Sequence, residues 1–224
     1  MSYSAFPSKS CLFFLGLMAM CLSDWAHASV RQRLLHEADR LLDTANVSYA
    51  WGGGAVGDQK ACTSCSQCLA AAGPAPKRQL QVCPVCRSCS LDCSHFIFEV
   101  FRRSKLPVKY LTTTQMRQLS PRVLKDRYNW IDIGARPSHV LAGDIVVYPG
   151  HVVLVERLTR PGVATVIHST AGRVISGVGQ GIQRQTMVKL SHFNGPIQRI
   201  LRHSKIKDEL KQKIRAKKLI RPSL

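Results

Sequence analysis

Apolar residues near the start of the chain recur at helical spacing. Val30, Leu34, Leu35, Ala38, Leu41, Leu42 and Ala45 fall three or four positions apart, the period that lays one buried stripe along a helix. Residues 30–45 are therefore expected to form an amphipathic helix. A second helical run extends from Leu91 to Arg103, where Cys93, Phe96, Ile97, Val100 and Phe101 share a face. Asp92 stands at its start, where a capping or first-turn acid is favoured. Beyond a polar, proline-containing stretch the period changes. Asp144 to Tyr148, His151 to Leu158 and Val163 to His168 are short runs rich in β-branched residues. Pro149-Gly150 and the segment from Thr159 to Gly162 separate them, so they read as strands joined by turns. Further strands are expected near 182–188 and 196–202. Helices first and an antiparallel meander second is the order of an α+β domain, with N-terminal helices packed on an antiparallel sheet.

Three segments depart from this pattern. At the N-terminus Lys9 precedes an apolar run from Cys11 to Leu22, and Ala26-His27-Ala28 supplies a small-x-small site. This is the layout of a secretory signal peptide over residues 1–28, cut between Ala28 and Ser29. The apolar run is shorter than the roughly 20 residues a membrane span needs, although an uncleaved anchor is the alternative. Residues 58–90 hold six cysteines, few large apolar residues and Gly73-Pro74-Ala75-Pro76, and read as a cysteine-rich, loop-like insertion. From Lys205 onward the chain is densely basic. The expected organisation is a signal segment, one domain over 29–203, and a basic tail over 204–224.

Composition narrows the partners. A formal charge of +19 on 224 residues predicts attraction to polyanions. With an export signal in front, anionic wall polymers or lipid headgroups are better candidates than nucleic acid, and the tail is either a tether to them or simply a solubilising, charged end. The expected address is the periplasm or the medium. There the triplets Cys62, Cys65, Cys68 and Cys83, Cys86, Cys89 are expected to form three disulfides, in one of fifteen pairings. Zinc held by the same six thiolates is the alternative, and no other cofactor is implied. The insertion is also a candidate docking point for a protein partner. Seven cysteines follow residue 28, so they cannot all pair, and Cys93 is the candidate free thiol.

That cysteine begins a helix, where unpaired N–H groups and the positive end of the dipole favour a thiolate and can bind an oxyanion. His151 opens the second strand of the meander and His168 lies near the end of the third. If positions 158 and 163 face each other, the two histidines share a sheet face as diagonal neighbours. His151 would then take the thiol proton and His168 would orient it.

Five segments in order resemble the NlpC family of papain-like cell-wall peptidases: Tyr49-Ala50-Trp51-Gly52-Gly53, Asp92-Cys93-Ser94-His95-Phe96, Gly143-Asp144-Ile145-Val146, His151-Val152-Val153 and Ile167-His168. The likeness covers roughly residues 30–202. It implies a papain-like fold and an amidase or endopeptidase acting on peptidoglycan stem peptides. It further implies a Cys93, His151 and His168 triad, with Tyr49 lining the site and helping to position the carbonyl oxygen. His95 departs from the family's glycine, and the cysteine-rich stretch replaces a much shorter loop. Two other readings stand beside this one: a non-catalytic envelope-binding or scaffold protein of the same fold, and an amidase or acyltransferase on a substrate other than peptidoglycan.

Overall fold

The computed structural model describes residues 29–44, 46–72, 76–171 and 181–220. The expected signal segment and its cleavage point lie outside them. The chain is a mixed α+β fold in which helices pack on an antiparallel sheet. Helix α1 (Val30–Thr44) is followed by the short strand β1 (Gly54–Ala55), helix α2 (Gln59–Ala72), the single turn α3 (Gln79–Val82) and strand β2 (Ser90–Leu91). Helix α4 (Cys93–Arg103) comes next, then α5 (Thr113–Gln118) and α6 (Pro121–Tyr128). Strands β3 (Trp130–Gly134), β4 (Ile145–Tyr148), β5 (His151–Arg160), β6 (Val163–Thr170), β7 (Gly181–Lys189) and β8 (Arg199–His203) form one sheet in the order β3-β8-β4-β5-β6-β7, every neighbour antiparallel. Helix α7 (Ser204–Ile220) ends the described chain.

Alternation along the strands divides the core in two. Ile145, Val147, Val152, Leu154, Ile167 and Leu201 face the helices and pack with Leu34, Ala38 and Leu41 of α1 and Phe96, Ile97, Val100 and Phe101 of α4. Val146, Tyr148, Val153, Val155, Ala164, Val166 and Ile200 form a second cluster on the other face, covered by Val140, Leu190 and Phe193. Beside β4, a buried ion pair joins the sheet's centre to its last strand. Arg202 donates from Nε to Asp144 Oδ1 at 2.7 Å and from Nη2 to Oδ2 at 2.8 Å. Leu141 N–H adds a third bond to the carboxylate at 2.7 Å.

The expected strands and the two expected helices are present, but the second helix starts at Cys93, with Leu91 in β2, and the last strand runs Arg199–His203 instead of 196–202. The cysteine-rich stretch is different. Its sequence reads as loop-like, but α2 and the turns after it enclose Cys65, Cys83 and Cys86, buried with Ala50 as a small cluster of their own. The physical reason is cross-linking. Cys62–Cys89, Cys65–Cys86 and Cys68–Cys83 form a nested ladder of three disulfides, with Cα separations of 4.9, 4.6 and 5.8 Å. With all six sulfurs in disulfides, no thiolate of this segment is left to hold zinc. Among the described residues no group of His, Cys, Asp and Glu is arranged as a metal site, and no helix is long and apolar enough to cross a membrane.

Candidate active site

Cys93 is the one free cysteine among the described residues. Its position is fixed from both sides. Asp92, in extended conformation, caps α4 by accepting the His95 N–H at 2.8 Å, so the helix starts at Cys93 itself. The residues before it are anchored to the tyrosine loop, since Leu91 N–H donates to Ser48 O at 3.0 Å and Asp92 N–H to Gly53 O at 2.9 Å. Ser169 Oγ of β6 donates to Leu91 O at 2.7 Å. This close approach requires glycine at position 53, where a Cβ would stand 2.9 Å from the Ser90 carbonyl carbon. The Tyr-x-Trp-Gly-Gly stretch thus lies directly along the entry to the helix that Cys93 begins.

The histidines meet as the strand register dictates. Leu154 stands opposite Ile167, the same offset that pairing 158 with 163 would give. The hairpin reaches it by another route, however: its turn is tighter, with Arg160 opposite Val163, and two irregularities in β5 restore the parity. His151 Nε2 and His168 Nδ1 are 2.8 Å apart, with the rings edge to face. His168 is buried at 3% exposure, and among the described residues its Nε2 has no hydrogen-bond partner. Phe193 packs edge-on against His168, with ring centroids 5.3 Å apart, and contacts His151 at 6.5 Å.

The thiol lies beside the start of β5, the strand that His151 opens. The Cys93 sulfur lies against the backbone N–H of Val152, the residue after His151, as well as the N–H groups of Ser94 and of Cys93 itself. Those three donors favour the thiolate, as the helix start led one to expect. Burial outweighs them: Cys93 is 6% exposed, and desolvation, with the nearby Asp92 carboxylate, pushes the thiol up to about 12. The expectation of a lowered thiol pKa is therefore corrected, and desolvation is the reason. Burial likewise holds His151 down to about 4 and His168 down to about 3, the latter also opposed by charge on His151. Burial therefore favours the neutral form of the thiol and of both imidazoles.

Tyr49 is buried in the same place. Its phenol is held above the usual range by burial first, then by proximity to Cys93 and Asp92. Two contributors were not foreseen. Tyr110, from the loop after α4, sits 3.1 Å through its OH from Ser94 Oγ and stacks on His95 at 4.0 Å. Phe193, from the turn before β8, walls the histidine pair. Neither lies in a periodic segment, so only the fold brings them in. Cys93, Tyr49, His151 and His168 thus converge on one end of the sheet, a set able to move a proton from sulfur to imidazole and to present N–H groups to an oxyanion. Comparison of the chain with protein-family models, curated proteins and solved structures found no match to any of them.

Proposed function

We propose that the chain is a papain-like cysteine hydrolase that cleaves amide bonds in peptidoglycan stem peptides. The observation that carries this reading is the free thiol at the first residue of α4, set against the strand that opens with His151, whose ring is hydrogen-bonded to His168. The order of the five motif segments and their likeness to the NlpC family supply the substrate class. The three disulfides and the basic charge fit work outside the cytoplasm, in the periplasm or the medium, against anionic wall or membrane surfaces.

In the proposed reaction His151 donates its Nε2 hydrogen to His168 Nδ1, leaving its own Nδ1 lone pair for the thiol. As the Cys93 sulfur bonds to the substrate carbonyl carbon, its proton passes to His151 and the carbonyl oxygen becomes an oxyanion facing the helix-start N–H groups. The carbon–nitrogen bond then breaks and the amine leaves with the proton from His151. Water, deprotonated by His151, attacks the thioester, releasing the acid and restoring the thiol.

Digestion of purified muropeptides by the chain and by Cys93→Ala, with products read by mass spectrometry, tests this. New fragments from the native chain alone support the hydrolase, and the mass lost identifies the bond. The depth of Cys93 and its raised pKa favour one rival, an envelope-binding protein of the same fold. No cleavage by a chain that is folded and keeps Cys93 as a free thiol would favour that rival.

A further inference from the structure

The segment from Asp92 to His95 contains a contact that the proposed reaction leaves unused. Asp92 Oδ1 gathers Ser94 Oγ–H at 2.8 Å and the His95 backbone N–H at 2.8 Å, and the His95 ring nitrogen Nδ1 stands 3.1 Å away. That Nδ1 is buried, and the carboxylate is the polar group it faces. A ring lone pair aimed at a carboxylate would be repelled, so Nδ1 carries hydrogen whether the imidazole is neutral or charged. The ring is held in place. One face stacks on Tyr110 with planes 19° apart, and its edge lies over Gly54, where a Cβ would stand 2.7 Å from His95 Cδ2. Glycine at 54 is what admits the imidazole.

Asp92 is charged, its carboxyl held below the usual range by the bonds from His95 and Ser94 against the opposing effect of burial. The same charge is, after burial, what keeps the Cys93 thiol protonated. The other titratable groups around the pair are Tyr110 and Tyr49, both raised by burial and therefore neutral at neutral pH. Asp92 is thus the standing charge beside the nucleophile. We infer that His95 is a positioning residue that draws the Asp92 charge away from Cys93 and so sets how readily the thiol releases its proton. This rests on the reading of Cys93 as the nucleophile.

The test is the rate of iodoacetamide alkylation at Cys93 in the purified chain, followed by mass spectrometry from about pH 6 to 10. His95→Phe keeps a ring to stack on Tyr110 but removes the donor. It is expected to slow alkylation at neutral pH by about three- to tenfold and to move the rate profile to higher pH, since one unit in a thiol pKa is tenfold in thiolate. His95→Asn returns an N–H near Nδ1 and should stay within about twofold of the native rate. In an Asp92→Asn background His95→Phe should change nothing, because no charge is left to draw away. A native profile in His95→Phe, an equal loss in His95→Asn, or an undiminished loss in the Asp92→Asn background would each overturn the inference. If His95→Phe does not fold by circular dichroism, His95→Gly takes its place with the same expectations. Alkylation needs no substrate, so the expected profile without muropeptide cleavage would sink the hydrolase and leave the pair standing.

Discussion

His151 and His168 join the chemistry of the site to the stability of the fold, because burial has made them poor proton acceptors. Each has an ordinary value of 6.5 and is held at about 4 and about 3 in the fold. As pH falls below about 6.5 the unfolded chain takes up protons that the native state refuses. The contribution is therefore whole above that value and is lost on acidification, until His151 protonates near 4 and His168 near 3. His203, buried beside Phe101 and Trp130 and also lowered by burial, acts in the same direction. Asp92 and Glu99, both lowered, lose their contributions only further into acid. Between about pH 7 and 4.5 the histidines therefore dominate, and the thermal midpoint should fall by roughly 5 °C or more. In His151→Asn/His168→Asn, whose amides do not titrate, the fall should be clearly smaller. A midpoint flat over that range, or an equal fall in the variant, would mean that the pair is not buried as described. The same neutrality predicts that alkylation of Cys93 climbs steadily with pH through neutrality, without the low-pH plateau of a thiolate–imidazolium pair.

The elements behind this site were legible in the sequence to unequal degrees, for physical reasons. Strands β4, β5 and β6 announce themselves because both faces are covered and β-branched residues fill them. Helix α4 does so because a capping acid precedes a wide apolar stripe. Helix α2 does not: its exposed face is Ser, Gln, Lys and Ala, and its buried side is cysteine, whose three-residue spacing reads equally well as disulfide or metal-ligand spacing. Strand β3 is short and carries Asp132 in its middle, so no alternation marks it. Of the site, motif order revealed Cys93, His151, His168 and Tyr49, whereas Tyr110 and Phe193 come from irregular segments that no period marks. The Gly-Asp before β4 was visible as a motif, but its purpose was not. Asp144 is fully buried, and its carboxyl is raised by burial in spite of Arg202. The ion pair therefore matters chiefly through what its breaking would leave behind. Arg202→Met should cost about 3–5 kcal/mol, the usual cost of a buried charge left without its partner, seen as a lower urea midpoint. Asp144→Asn/Arg202→Met should recover a large part of it. Equal losses in the single and double variants would show that Arg202 acts by packing alone.

At the scale of the whole molecule, the two appendages to the α+β core are attached in different ways. Helix α7 begins inside the core, with Ile206 fully buried and Leu210 packed beside it. Ending the chain at His203 would remove core as well as charge. Replacing Lys211, Lys213, Lys217 and Lys218 by Gln separates the two: the fold should persist, while salt-sensitive sedimentation with anionic vesicles should drop severalfold if the tail is the tether. Undiminished sedimentation would place the attraction elsewhere on the basic surface. The disulfide ladder is tied to the site by sequence proximity, and its rungs are not equivalent. Their closures span 15, 21 and 27 residues, and each alone would stabilise by about 3–4 kcal/mol on loop entropy. Being nested, they do not add: once Cys68–Cys83 is closed, each outer rung restrains only a few more residues on either side. What the outermost rung adds is local. Cys89 precedes β2, which pairs with β1 and leads through Asp92 into Cys93, and both Cys62 and Cys89 belong to the same core cluster as Cys93. Cys62→Ala/Cys89→Ala should therefore change the Cys93 alkylation rate severalfold while lowering the thermal midpoint only modestly. Cys68→Ala/Cys83→Ala, at the far end of the ladder, should leave that rate within about twofold. Peptide mapping without reductant should recover the three nested pairs and Cys93 as the alkylated thiol. A different pairing, or equal effects from the inner and outer variants, would show that the ladder staples its own segment and does nothing to hold α4 in place.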